Sequence, residues 1–326
     1  MPASFPRNRL LARELSSRIQ LRVMKEPPYG AIWDLLKEGS VVPFLGAGAS
    51  LMGRPQMDRW DGDHPVALPS GVELAGYLAA KSKFPSEERR DLEDLAKVSS
   101  YFSDLVGRSR LRQRLREILN HDFVFSPLHQ LLAAIPAPLL IVGTNYDTLI
   151  EQAFQAVNKP YDLVIYSNDR KDLAGSVLWW PHGADQPRGV PPNELDIDLS
   201  KGTVIYKMHG SFVRQSAEWD NFVITEEDYV EFLSRMSETV PPVFYAHCQS
   251  RSFLFLGYSL RDWNLRVVLR NLSRTLARRG DEELPSWAIQ RGPSELEIAL
   301  WRKRNVEIFD IPLDEFTARI RQEGEI

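Results

Sequence analysis

The chain has 326 residues, 40 Lys and Arg against 44 Asp and Glu for a formal net charge of −4, 43% hydrophobic and 26% charged residues, and one cysteine, Cys248. This is globular usage in a chain long enough to bury a core without staples. It excludes a disulfide framework, a four-cysteine zinc site and a global pull toward nucleic acid, and no apolar run reaches the roughly 18–20 residues of a membrane span.

Residues 1–28 form a basic, amphipathic opening, with arginines from Arg7 onward and no continuous apolar stretch of the kind a secretory signal needs. The pattern suits a solvated amphipathic helix or a helix that packs on another subunit. From residue 29 to 326 the chain reads as one domain. Its first apolar run, 41–45, leads into Gly46-Ala47-Gly48-Ala49-Ser50. Small residues let a backbone turn tightly and approach a phosphate, although a generic strand-to-loop turn has the same signature. Leu51 stands where a dinucleotide fingerprint has its third glycine, and Pro55, Gly62, Pro65 and Pro69 argue against a helix directly after the turn.

The stretch 51–132 shows helical spacing at 71–81, 87–103 and 110–119, and reads as a mainly helical insertion. A second apolar run, 138–142, ends in Gly143-Thr144-Asn145-Tyr146-Asp147 and opens a helical pattern over 147–156. Asp147 stands where a helix cap belongs, whereas Asn145 projects from the carboxyl end of a strand, where open α/β sheets bind ligands. A second insertion, 158–202, is rich in Pro, Gly and Asp. It holds one possible strand at 163–166 and a Trp179-Trp180-Pro181-His182-Gly183 stretch that could cover a site.

The run 203–206 leads into Lys207-Met208-His209-Gly210-Ser211. A neutral imidazole at a strand end can take or orient a proton near pH 7. His182-Gly183 competes with His209-Gly210 for that role, and His129, on an apolar helical stretch, reads as core or surface. After a helical pattern at 226–236, the run 252–256 ends in Gly257-Tyr258-Ser259, followed by a helical pattern at 262–276. The runs 286–289, ending at Gln290, and 306–309 alternate with helical patterns at 294–304 and 313–321. Strands that are apolar on both faces, alternating with helices, predict an α/β, Rossmann-like doubly wound parallel sheet of about six strands with helices on both faces.

The ordered set Gly46-Ala47-Gly48-Ala49-Ser50, Thr144-Asn145-Tyr146-Asp147, His209-Gly210-Ser211 and Gly257-Tyr258-Ser259 resembles the NAD-binding signatures of the sirtuin-like family. The tyrosines in the second and fourth motifs resemble its bacterial antiphage-defence branch. The resemblance implies that Gly46, Ala47, Gly48 and Ser50 approach the pyrophosphate of NAD. Asn145 would hold the nicotinamide-side ribose or an attacking water, and Asp147 would help bind the carboxamide, with Thr144 beside them. His209 would act as base, Gly257 and Ser259 would line the phosphates and the adenine-side ribose, and Gln290 would face the adenosine ribose. With one cysteine, and with residues 52–70 in place of the deacylases' arginine-bearing loop, the resemblance points away from protein deacylation. It implies a zinc-free NAD glycohydrolase releasing nicotinamide and ADP-ribose, a toxic effector of antiphage defence. A non-catalytic subunit that senses NAD or ADP-ribose is the alternative. A cytoplasmic homo-oligomer is expected, restrained by a helicase-like ATPase or an Argonaute-like protein of a defence operon, with no metal, no membrane and no direct nucleic-acid binding.

Overall fold

The computed structural model describes residues 26–325, apart from 56, 58, 174, 259–266 and 268–283. The basic segment before residue 26, the helix predicted over 262–276 and Ser259 therefore lie outside the described residues.

Among the described residues eleven strands form in chain order: β1 (Val41–Leu45), β2 (Leu140–Gly143), β3 (Tyr161–Tyr166), β4 (Val177–Trp180), β5 (Arg188–Val190), β6 (Thr203–Lys207), β7 (Gly210–Ser211), β8 (Asn221–Phe222), β9 (Ser252–Leu256), β10 (Ser286–Ile289) and β11 (Val306–Phe309). Nine of them make one sheet in the order β11-β10-β9-β1-β2-β6-β3-β4-β5, and β7 and β8 pair separately. All neighbours from β11 to β3 are parallel; β4 and β5 run antiparallel at one edge. The expected parallel α/β sheet is present, with nine strands rather than six. The six apolar runs are its core, the possible strand at 163–166 is β3, and the hairpin of β4 and β5 completes the edge. Pro43 has no N–H to give, and β1 pairs with β2 only from Phe44 onward.

Every residue of β1, β2, β6, β9 and β10 is buried. Alternation sends Val42, Phe44, Val142, Tyr206 and Phe255 to one face, where Phe232, Met236, Phe244 and Trp301 cover them from the helices Glu226–Ser234, Met236–Thr239, Pro242–Cys248 and Glu295–Arg302. Val41, Leu45, Ile141, Ile205 and Leu254 face the other way, under Ile32, Leu36, Leu131, Phe154 and Phe316 from Tyr29–Lys37, Pro127–Ala134, Leu149–Ala156 and Leu313–Gly324. Helices on both faces follow from strands that are apolar on both faces.

The first insertion is helical, with Gly71–Ser82, Leu95–Val106 and Arg108–Leu119 as its long elements. Its own cluster of Leu74, Leu78, Val98, Phe102, Leu111 and Leu115 docks on Leu149, Phe212 and Phe222 of the sheet domain. The helix predicted over 87–103 breaks in two because Asp94 accepts a hydrogen bond from the Lys97 N–H at 3.1 Å and caps a new start. No helix among the described residues is long and apolar enough to cross a membrane.

Candidate functional site

The chain runs from β1 toward β2 on one side, and from β9 toward β10 and β11 on the other. The neighbours β1 and β9 therefore mark the point where the winding reverses, and crevices at the carboxyl ends of such strands are where open α/β sheets bind ligands. A cleft of about 540 Å³ opens there, lined by Gly48 and Met52 after β1, Gly257 and Tyr258 after β9, Gln290 and Arg291 after β10, and Leu313 and Asp314 after β11. That volume suits a cofactor-sized molecule.

The two turns at the switch point are pressed together. The Gly48 N–H donates to the Gly257 carbonyl at 2.8 Å, and the Gly46 N–H to the Leu256 carbonyl at 3.0 Å. A Cβ at Gly48 would stand 2.8 Å from the Gly257 Cα, and one at Gly257, whose φ is +72°, would stand 2.3 Å from the Ala49 nitrogen. The glycines thus serve the close approach of two backbones. A short helix, Ala47–Leu51, does follow the turn at once, contrary to the sequence expectation. Contact with the second turn outweighs its poor helix propensity, and the breaker residues begin only beyond it.

The loop after β2 is tied to the first turn. Asn145 Nδ2 donates to the Gly46 carbonyl at 2.9 Å and to Ser50 Oγ at 2.7 Å. Ser50 Oγ in turn donates to Asp147 Oδ2 at 2.7 Å, while Asp147 Oδ1 accepts from the Leu149 N–H at 3.0 Å. Asp147 stands one residue before the N-cap, Thr148, and its carboxylate links the start of that helix to Ser50. Both protons of the Asn145 amide nitrogen are committed, which leaves its Oδ1 for a ligand or a water. Thr144 Oγ1 accepts from the Tyr258 hydroxyl at 3.1 Å, which joins this loop to the β9 turn as well.

Register pairs Gly143 with Lys207, so Asn145 and His209 each stand two residues beyond paired strand ends. His209 is 6% exposed and lies edge-on to Tyr229 and Phe232 at 5.4 and 5.3 Å. Burial pushes its pKa down to about 4, so the ring is neutral at pH 7, and Nε2 has no hydrogen-bond partner among the described residues. Gly210 must be glycine, because at φ +84° a Cβ would meet the Asn221 carbonyl oxygen at 2.0 Å.

The hairpin of β7 and β8 that follows His209 is gripped by arginines at i, i+4 and i+8 on the insertion helix Arg108–Leu119. Arg108 pairs with Asp169 at 2.7 Å and with Asp228 at 2.8 Å, and also donates to the Phe222 carbonyl. Arg112 donates to the Asp220 carbonyl at 2.8 Å. Arg116 pairs with the buried Asp220 carboxylate at 2.9 Å and donates to the Val213 carbonyl at 3.0 Å. Burial outweighs this pairing and holds the Asp220 carboxyl above the usual range.

Hydrogen bonds thus bring Gly46, Ser50, Asn145 and Asp147 into one cluster, with Ala47 in the same turn. Gly48, Gly257 and Gln290 line the cleft beside it; Gln290 also donates to Glu297 at 3.3 Å. His209 joins neither group by a hydrogen bond; it stands in its aromatic cage at the neighbouring strand end. His182 is exposed, at the rim of a separate cavity along the helix Leu149–Ala156. Trp179 and Trp180 belong to β4, away from the cleft at the switch point; their indole N–H groups bond Asp162 at 2.9 Å and the Ala184 carbonyl at 2.8 Å, and Trp180 lines the same separate cavity as His182. Tyr258, Arg291 and Asp314 were missed as lining residues because the residues that converge there come from distant strand ends. Lys207 did carry a signal, as a charge on an otherwise apolar central strand. Among the described residues no group of three or more His, Cys, Asp or Glu is arranged to hold a metal ion.

A family model described as a SIR2-like domain matches residues 139–309, just over half of the chain. A protein of Acinetobacter baumannii (strain 532279) named NAD(+) hydrolase ThsA is 26% identical over 237 residues, covering 73% of this chain and 40% of its own length. Proteins of the same name from Bacillus cereus (strain MSX-D12) and Enterococcus faecium are 25% identical over 291 and 266 residues, covering 88% and 79% of this chain and 51% and 44% of their own lengths. The chain spans about half, or less, of the length of these relatives.

Proposed function

The chain belongs to the SIR2-like domain family, and from that premise we propose that it hydrolyses NAD to nicotinamide and ADP-ribose. The observation that carries the reading is the His209 ring: neutral at physiological pH, with Nε2 unpartnered among the described residues, at the strand end next to the one that carries Asn145. An uncommitted ring nitrogen in a buried position is costly unless something uses it. Breaking the nicotinamide–ribose bond builds oxocarbenium character on the sugar, so the site has to orient the substrate, tolerate developing charge and position a nucleophile.

In this reading the cleft at the switch point takes the adenosine and phosphate side of NAD, against Gly48, Gly257 and Gln290. Asn145 Oδ1 orients the ribose or the attacking water. Asp147 holds Ser50 and contributes charge near the carboxamide, and His209 accepts the proton. The relatives' name supports the same activity. We place the enzyme in antiphage defence, where an activity that depletes NAD must be restrained. Restraint by a partner protein, by self-association, or by both fits that demand.

The test is nicotinamide release by the purified protein and by three variants at matched concentration, with thermal melts as controls. Asn145→Ala and His209→Ala lose turnover by about 10²–10⁴-fold. His182→Ala, altered at an exposed rim, keeps it. Full activity in Asn145→Ala, or a loss confined to His182→Ala, overturns the assignment.

A further inference from the structure

Lys207 closes β6 on the face that carries Ile205, and its side chain is 2% exposed. Its neighbours there are Leu45, Ile141 and Ile150, where a central parallel strand ordinarily carries an aliphatic residue. A buried ammonium is retained only when its surroundings compensate it. Two groups do so. Glu151, on the helix that starts just after Asp147, lies 3.3 Å from Nζ, and burial holds its carboxyl above the usual range against the pull of Lys207. The Asp147 main-chain carbonyl accepts a hydrogen bond from the same Nζ. Asn145, Asp147 and His129 line the same small cavity, and His129 is 1% exposed and neutral, because burial pushes its pKa down to about 4.

Asp147 is the hinge of the site's polar cluster. Its carbonyl is held by Lys207 and its carboxylate by Ser50 and the Leu149 N–H. Ser50 and the Gly46 carbonyl then fix the Asn145 amide. We propose that Lys207 is a positioning residue for NAD cleavage: from beneath the sheet's edge it fixes the Asp147 backbone and, through Asp147 and Ser50, aims Asn145. This inference rests on the hydrolase reading for its kinetic consequence and on the hydrogen-bond geometry alone for the positioning itself. Glu151 keeps the ammonium in place. Lys207 touches no substrate; it acts through the loop, and a loop displaced by about 1 Å can cost on the order of 10²-fold in rate.

Removing Lys207 alone strands the Glu151 carboxylate in the core, so loss of fold could mimic loss of positioning. The decisive variant is therefore Lys207→Met with Glu151→Leu, which replaces the buried pair by apolar groups of similar size and preserves or raises stability. Two measurements are made on it and on the wild type: steady-state nicotinamide release, and hydrogen exchange of the backbone amides in 46–50 and 144–149. The expected result is a melting temperature at or above the wild type. It comes with a kcat lowered about 10- to 100-fold, a KM within about twofold, and faster exchange confined to those two segments. Wild-type kcat, or unchanged exchange in both segments, overturns the proposal. If the wild type itself releases no nicotinamide, the hydrolase reading fails, and the exchange measurement decides the role of Lys207 on its own.

Discussion

Replacing His209 by leucine separates the chemistry of this site from its stability. The ring is 6% exposed, packed between Tyr229 and Phe232, and its buried Nε2 has no partner among the described residues. Leaving such an atom unsatisfied costs roughly 1–3 kcal/mol. Leucine fills a similar volume with no polar atom, and imperfect fit against the two rings costs up to about 1.5 kcal/mol. The balance favours the variant by about 1 kcal/mol, which for a chain of this size raises the melting temperature by about 1.5 °C. Turnover should nevertheless fall about 10²–10⁴-fold, the usual loss on removing a positioned base. Scanning calorimetry and nicotinamide release, run on the same preparation, read the two quantities. A leucine variant that melts well below the wild type would show that Nε2 is satisfied in solution. One that turns over normally would show that His209 is not the base.

Acid should weaken the fold before it reaches the carboxylate range. His129, His209 and His247 all have pKa values lowered by burial to about 4. Above pH 6.5 they are neutral in both folded and unfolded chains and their contribution is complete. Between 6.5 and about 4 the unfolded chain binds protons that the folded one refuses, so stability falls as pH falls, by up to about 1.4 kcal/mol per unit for each histidine. Denaturant melts at pH 7, 6 and 5 check the slope, and His209→Leu should flatten it by one histidine's share. Gly210→Ala forces a side chain into positive φ and against the Asn221 carbonyl, and should destabilise by about 3 kcal/mol or more, with loss of activity, in urea titrations. Arg116→Ala leaves Asp220 buried without its bidentate partner. It should cost about 3 kcal/mol at pH 7 and less at pH 5, where Asp220 takes up a proton more readily.

The parts of this molecule legible from the chain alone are those where one physical requirement dominates. A strand buried on both faces has to be apolar throughout, so the six runs stood out and each ended at a visible change of chemistry. Asn145, His209 and Gly257 were found at those changes. The edge was harder. In β4 and β5 the sequence Val177-Leu178-Trp179-Trp180 and the short, largely exposed Arg188-Gly189-Val190 carry no clean alternation, because Val177 and Trp179 pack on one face and Leu178 and Trp180 on the other, with each indole N–H bonded and Arg188 over Trp179. The helix Ala47–Leu51 was misread for a related reason: its stability comes from Gly257, more than two hundred residues away, and not from its own residues. Lys207 broke the rule of its strand, and such a breach was the best available pointer to a polar requirement beneath the site.

The arginine ladder of helix Arg108–Leu119 bears on how this fold can be taken apart and recombined. Its guanidinium groups sit on the insertion, while the carboxylates and carbonyls they satisfy belong to the hairpin behind His209 and to the segments around Asp169 and Asp228. Neither half is chemically complete. A chimera whose imported insertion lacks these arginines leaves Asp169 and Asp220 without their charge partners, and a minimised version that omits the insertion uncovers both carboxylates and the strand pair that follows the histidine. The insertion and the hairpin are therefore a single transplantable unit, although about a hundred residues of chain lie between them.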